Sequence, residues 1–243
     1  MESKILINFK YYKMAIHSNI LVHWTCKEEN TTSEQYVTRL KSTIFQGLYL
    51  NKGSERIVGH NNTAIKADIS RVCLTEIRLT QVTKHTSLYG KLGIGFSRDF
   101  VIRNFGNPVS YVTNSNAYSL LVEHFDHLHG FLANHHYEEY LARLQYIMGF
   151  VKNMSDVNEN DMKYYEEMEW RIVHNKLMEI DGRILPEDPA KSIYRLVYAP
   201  REVKLIVFPN EETNALALSD PDLLRFFKDH TPILLTLEDC NQF

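Results

Sequence analysis

The sequence predicts an α+β fold, a mixed sheet core that carries a helical insert. Three observations carry that reading. Period-two alternation marks short strands early and late, at 70–79 and 203–208 among others. Apolar residues recur at threes and fours over 36–48 and again over about 117–152. No internal repeat, low-complexity tract or Pro/Gly/Ser-rich linker divides the 243 residues, so the chain 1–243 is read as one domain.

Taken in order, Ser18 to Thr25 is a short buried strand with a polar end. Thr32-Ser33-Glu34 offers an N-cap to a helix carrying Tyr36, Leu40, Ile44 and Leu48, with Gly47 near its end and a turn at Asn51-Lys52-Gly53. Ser70 to Leu79 alternates as a strand, with Val72, Leu74 and Ile77 inward. Ile94 to Phe96 is a strand, Arg98 to Asn104 starts a helix, and Val109 to Val112 is a further strand after Pro108. The insert at about 117–152 repeats Leu120, Leu121, His124, Phe125 and Leu128, then Tyr140, Leu144, Ile147 and Met148. Tyr164 to Val173 alternates again, which puts Glu167, Glu169 and Arg171 on one face and Met168, Trp170 and Ile172 on the other. Val203 to Phe208 is a strong strand. Ser219-Asp220-Pro221 caps a helix over 222–229, and Pro232 to Leu237 closes the sheet.

Composition narrows the function. A formal charge of -3 argues against a strongly electrostatic nucleic-acid binder, although a local basic cleft is compatible with it. Cys26, Cys73 and Cys240 are odd in number and widely spaced, which suits a reducing compartment. The chain has no run of 18 apolar residues, and its first residues lack a signal peptide's apolar core, so a cytoplasmic protein without a membrane span is expected.

Three distant stretches carry the candidate chemistry. His23-Trp24-Thr25 ends the first strand, where a histidine beside a hydroxyl can hold a ribose through one donor and one acceptor. The ordinary alternative is a core-edge histidine bonded to backbone. In Tyr89-Gly90-Lys91-Leu92-Gly93-Ile94-Gly95-Phe96-Ser97, glycines let backbone approach a flat ligand and an aromatic can stack on a ring. The spacing departs from the dinucleotide fingerprint, and a hairpin with turn glycines is the alternative. Glu167 and Glu169 form a Glu-x-Glu on one strand face, where one carboxylate can hold a sugar and the other act on an oxocarbenium-like state. A solvated edge with Arg171 as ion-pair partner is the alternative. His124, His127, His129, His135 and His136 do not follow a zinc spacing, and no metal site is expected. Ser97 lacks a nucleophile-elbow context, Cys73 has no base at a known spacing, and no P-loop is present.

The stretch Val72-Cys73-Leu74-Thr75-Glu76-Ile77-Arg78-Leu79, His85 with the Gly-rich run, Asn107 to Val112, Ile206-Val207-Phe208-Pro209 and the closing Pro232 to Glu238 together resemble the AbiGi-type abortive phage-resistance family. That family carries an antitoxin label. A looser resemblance, through His23-Trp24-Thr25, Gly93-Ile94-Gly95-Phe96-Ser97 and Glu167-Met168-Glu169, is to ADP-ribosyltransferase-fold anti-phage toxins such as DarT-like and CmdT-like proteins. Gly95 stands where poly-ADP-ribosylating enzymes carry a tyrosine, so stacking would fall to Tyr89, Phe96 or another aromatic. This resemblance implies an ADP-ribosyltransferase-like core and NAD as the substrate, with RNA or DNA as acceptor. It implies that Glu169 and Glu167 are catalytic and that His23, Thr25, Tyr89, Gly93, Gly95, Phe96 and Ser97 bind NAD. The expectation is a cytoplasmic NAD-dependent toxin of a toxin–antitoxin, abortive-infection system with a neutralising partner protein. The rival expectation is a non-catalytic antitoxin or phage-sensing partner.

Overall fold

The computed structural model describes residues 19–58, 64–76, 82–112, 120–153 and 168–240. Strand β1 (Ile20–Thr25) leads to α1 (Ser33–Gln46), which starts in a capping box: the Thr32 hydroxyl accepts from Gln35 N, and Thr32 N donates to Gln35 Oε1 at 2.8 Å. Gly47 then turns the chain at φ +107°, where an added Cβ would lie 2.2 Å from the Leu196 carbonyl oxygen. Leu48, expected on the helix, instead opens β2 (Leu48–Val58). The expected turn at 51–53 is not made. Asn51, Lys52 and Gly53 pair with Arg71, Ser70 and Ile69 of β3 (Ala64–Thr75), and this ladder continues to Val58. Gly53 makes room for the Arg71 guanidinium, 2.6 Å from where a Cβ would sit, so its role is clearance.

Helix α2 (Val82–Tyr89), β4 (Leu92–Ser97) and α3 (Arg98–Arg103) follow, then the short strands β5 (Asn107–Pro108) and β6 (Ser110–Val112). The insert is a pair of contacting helices, α4 (Leu120–Asn134) and α5 (Glu138–Met148), ending in β7 (Val151–Asn153). Strand β8 (Glu169–Val173), α6 (Lys176–Ile180), β9 (Ile184–Asp188), β10 (Ile193–Leu196) and β11 (Val203–Phe208) complete the middle of the chain. Helix α7 (Glu211–Ser219), α8 (Pro221–His230), β12 (Ile233–Thr236) and α9 (Leu237–Cys240) close it. Asp220 caps α8 by accepting from Asp222 N and Leu223 N, as the Ser-Asp-Pro signal predicts. Helices α2 and α7 and strands β9 and β10 were not anticipated from the pattern.

The main sheet runs β12-β11-β4-β1-β3-β2-β10-β9, with β8 on β3 and β5 on β8; β6 and β7 form a separate parallel pair. Apart from β11 with β12, the pairings in the main sheet are antiparallel. The fold is thus a mixed α+β one built on a large, mostly antiparallel sheet. One core lies under α1, α7 and α8 and contains Leu40, Ile44, Ile94, Phe96, Ile172 and Phe208. A second joins α4 and α5 to Ile69, Val151 and Val173. A third holds Val22, Trp24, Val82, Leu205 and Val207. Alternation along β4 sends Ile94 and Phe96 to the first core and the two glycines to the other face.

Candidate functional site

Strand β3 sits between β1 and β8, and the site forms where β1 leaves it. The ladder between β1 and β3 has one step, Val22 opposite Thr75. Beyond that step the His23 ring takes over, with Nδ1 donating to the Cys73 carbonyl at 2.9 Å. A carbonyl can only accept, so His23 carries its proton on Nδ1. Burial lowers its pKa, which favours that neutral form. On the opposite edge of β3, Thr75 pairs with Glu169 and Cys73 with Arg171. Paired residues share a face, so Glu169, Arg171, Cys73 and Thr75 line one wall of a cleft of about 180 Å³, together with Val22, His23, Trp24, Arg71, His85, Tyr89 and Lys152.

The expected alternation in β8 holds among its described residues. Trp170 and Ile172 join the α1-side core, and Glu169 and Arg171 face the other way. Trp170 donates from Nε1 to Glu76 Oε2 at 2.8 Å, while Arg98 pairs with Glu76 and lies over the Trp170 ring. The Glu169 carboxylate is engaged on both oxygens. Arg171 donates from Nε at 2.7 Å and from a terminal nitrogen at 3.0 Å, and Lys152 donates to Oε2 at 3.2 Å. Arg171 is fully buried and also donates to the Gly149 carbonyl at 2.7 Å, which ties the cluster to the end of α5. Glu169 N donates to the Tyr111 hydroxyl. Burial alone would raise the Glu169 pKa, but the Arg171 and Lys152 charges hold it at about 2.

The other groups are equally settled. His85 on α2 bonds through Nε2 to the Thr75 hydroxyl at 2.7 Å and packs at a tilt against the Tyr89 ring, and burial lowers its pKa to about 4. Cys73 opens onto the cleft, yet the enclosing walls and the Glu169 carboxylate push its thiol up to about 12. At neutral pH the described residues of the cleft therefore present one carboxylate, neutral imidazoles, a protonated thiol and the cations Arg71, Lys152 and Arg171. Glu169 at about 2, His85 at about 4 and the Cys73 thiol at about 12 all lie far from pH 7, where a general acid or base is most effective. The fixed charges can still stabilise charge on a ligand.

Of the residues singled out from the sequence, the structure brings His23, Tyr89 and Glu169 to this one cleft. Thr25 does not line it. Phe96 is fully buried against Phe100 and Tyr198 in the α1-side core, so it cannot stack on a ligand here. Gly93 and Gly95 were expected to admit a ligand. Instead, a Cβ on Gly93 would lie 2.7 Å from the Trp24 ring, and one on Gly95 2.7 Å from Ile20 and Leu205, so these glycines admit neighbouring side chains. Ser97 is the N-cap of α3 and accepts from Phe100 N. Glu167 lies outside the described residues. Lys152, Arg71, Trp24, His85 and Tyr111 were not chosen in advance. His85 and Tyr111 had a signal, as parts of the AbiGi-like stretches, and Trp24 is the middle of His23-Trp24-Thr25. The helical-insert histidines stay dispersed, and among the described residues no group of three metal-binding side chains exists. No helix among the described residues is long and apolar enough to cross a membrane.

The described walls of the cleft hold about 180 Å³, in a space partly open to solvent. In comparison with known proteins, residues 47–209 fit the family model described as "Putative abortive phage resistance protein AbiGi, antitoxin". The chain belongs to that family, and the match contains β3, β8 and most of the cleft. No curated protein and no solved structure matched the chain.

Proposed function

We propose that this chain is the non-catalytic antitoxin component of an abortive-infection system, acting on a toxin protein. Membership of the AbiGi family supports the system, and the engagement of Glu169 carries the non-catalytic part. Its two oxygens are held by Arg171 and Lys152, and its pKa of about 2 leaves it no proton to exchange near neutrality. The cluster is then a rigid brace joining β8, β7 and the end of α5. The test is genetic. Removing this chain from cells that carry the complete system arrests growth, and resupplying either the native chain or Glu169→Gln restores it. Growth arrest by the chain expressed alone, relieved by Glu169→Gln, overturns the reading.

A second reading has one observation in its favour. His23, Tyr89 and Glu169, drawn from three distant stretches, line the same cleft. On that reading the sheet is an ADP-ribosyltransferase core, Glu169 stabilises the cationic sugar while His23 holds a ribose, and NAD passes ADP-ribose to RNA or DNA. Labelled NAD incubated with the chain and with separate RNA, DNA and protein pools decides the matter: transfer that depends on Glu169 supports this second reading, and no nicotinamide release removes it.

A further inference from the structure

The helical insert presents an apolar face that the described residues leave uncovered. On α4, Val122, Phe125 and Leu132 pack into the second core. Leu121, Leu128 and Phe131, on the outward side of the same helix, are 50%, 47% and 52% exposed. Exposed His124, and His135 just past the helix end, complete the row, so 121, 124, 128, 131 and 135 repeat at threes and fours along one stripe. A helix that is apolar on both sides is ordinarily buried on both. The face runs on into α5. Phe131 packs against His135, centroids 4.4 Å apart, and against Tyr137, which meets the exposed Tyr140 edge-on at 6.3 Å. A contiguous exposed patch rich in Tyr, Phe and Leu is what a protein–protein contact is made of.

The rim of this face has a sign. From Leu120 to Tyr140 the sequence carries Glu123, Asp126, Glu138 and Glu139 and neither lysine nor arginine. Glu139 is paired with Arg143 at 2.7 Å. Among the described residues, Glu123 faces the His127 ring at 3.9 Å, and neither it nor Glu138 meets a lysine or arginine. An acidic rim repels the phosphates of nucleic acid and of an anionic bilayer. A second copy of this chain would set the same acids against one another. What fits is an apolar helix face bordered by Lys and Arg. Its cations meet Glu123 and Glu138 while its apolar residues lie among Leu121, Leu128 and Phe131.

We propose that the α4–α5 face docks an amphipathic helix of a partner protein, apolar along one stripe and basic at its edges. On the antitoxin reading that partner is the toxin. Only this identity rests on that reading; the face itself does not. The insert lies inside residues 47–209, so the face is part of the stretch that matches the AbiGi family model.

The test uses the full chain and two helical peptides with the same leucine stripe, one bordered by lysine and the other by glutamate. Fluorescence anisotropy follows each peptide. The lysine-bordered peptide binds saturably and at least about tenfold more tightly than the other. Leu128→Gln/Phe131→Gln weakens its binding about tenfold or more, and Glu123→Gln/Glu138→Gln weakens it and flattens its salt dependence. Melting curves check that both pairs fold; should the first fail, the glutamate pair and the peptide ranking still decide. Sedimentation gives the native chain and the Leu128/Phe131 pair the same oligomeric state. In cells that carry the complete system but lack this chain, the native chain restores growth and the Leu128/Phe131 pair does not. Where the native chain itself fails to restore growth, the antitoxin reading falls and the peptide ranking alone decides the face. The proposal is overturned if the two peptides bind alike, or if the folded Leu128/Phe131 pair binds the lysine-bordered peptide or restores growth as the native chain does. It is equally overturned if that pair dissociates a dimer of the native chain, since the occupant is then a second copy.

Discussion

Replacing Arg171 with methionine isolates the central brace of the cleft. Arg171 is fully buried and contributes two hydrogen bonds to Glu169 and one to Gly149. Methionine fits the same path but leaves Glu169, 6% exposed, with Lys152 as its named cation. Breaking such a pair strands a buried charge at a cost of about 3–5 kcal/mol, or a fall of roughly 6–20 °C in melting temperature for a chain of this size. The pKa supplies an independent figure. Lowering Glu169 from 4.5 to about 2 corresponds to about 3 kcal/mol of stabilisation. A depressed carboxylate contributes fully above its unfolded value near 4.5, and the contribution is lost as pH falls through about 2. Arg171→Met therefore loses stability at pH 7 and also loses part of the acid dependence between these values. His85 adds its own acid dependence, since its pKa falls from 6.5 to about 4 and its contribution fades as pH drops through that window. Subtracting the parent curve from the variant curve leaves the Glu169 share. The double variant Glu169→Leu/Arg171→Met, which removes both charges, recovers most of the loss. Urea unfolding monitored by circular dichroism at pH 7 and pH 3.5 measures all three chains. A single variant within about 1 kcal/mol of the parent, with the same acid dependence, refutes the brace.

Two further outcomes follow from local geometry. Gly90 ends α2 at φ +113°, where an added Cβ would lie 2.0 Å from the Thr25 carbonyl oxygen, so Gly90→Ala forces β1 and α2 apart and destabilises the chain by at least about 2 kcal/mol in the same urea assay. The Cys73 thiol, at about 12, and the Cys26 and Cys240 thiols, each raised chiefly by burial, react slowly with iodoacetamide at pH 8; mass spectrometry showing alkylation of Cys73 faster than of a free thiol contradicts the placement beside Glu169.

Much of the fold was legible because its signals are local. The capping residues of α1 and α8, the alternation of β8 and β11 and the helical spacing of the insert each depend on neighbours within a few positions. The misread positions are those where a distant partner outweighs local preference. Asn51-Lys52-Gly53 has turn chemistry, yet ladder pairing with β3 holds it extended. Gly93 and Gly95 look like a ligand approach, yet the facing strand places Trp24 and Ile20 over them. Helix α7, with its weak amphipathic pattern, is recruited by packing against α1 and β11.

The amino-acid order alone determined that a histidine ends the first strand, that Glu169 and Arg171 share a strand face, and that the chain resembles AbiGi proteins. Those are properties of period, residue type and motif. Tertiary structure decided that Lys152, from the end of the insert, meets Glu169; that β1 parts from β3 so that His23, Tyr89 and Glu169 border one space; and that Phe96 turns away from it. Contacts such as Lys152 with Glu169, 17 positions apart, and His23 with Cys73, 50 apart, depend on strand register and helix docking, which no local pattern encodes.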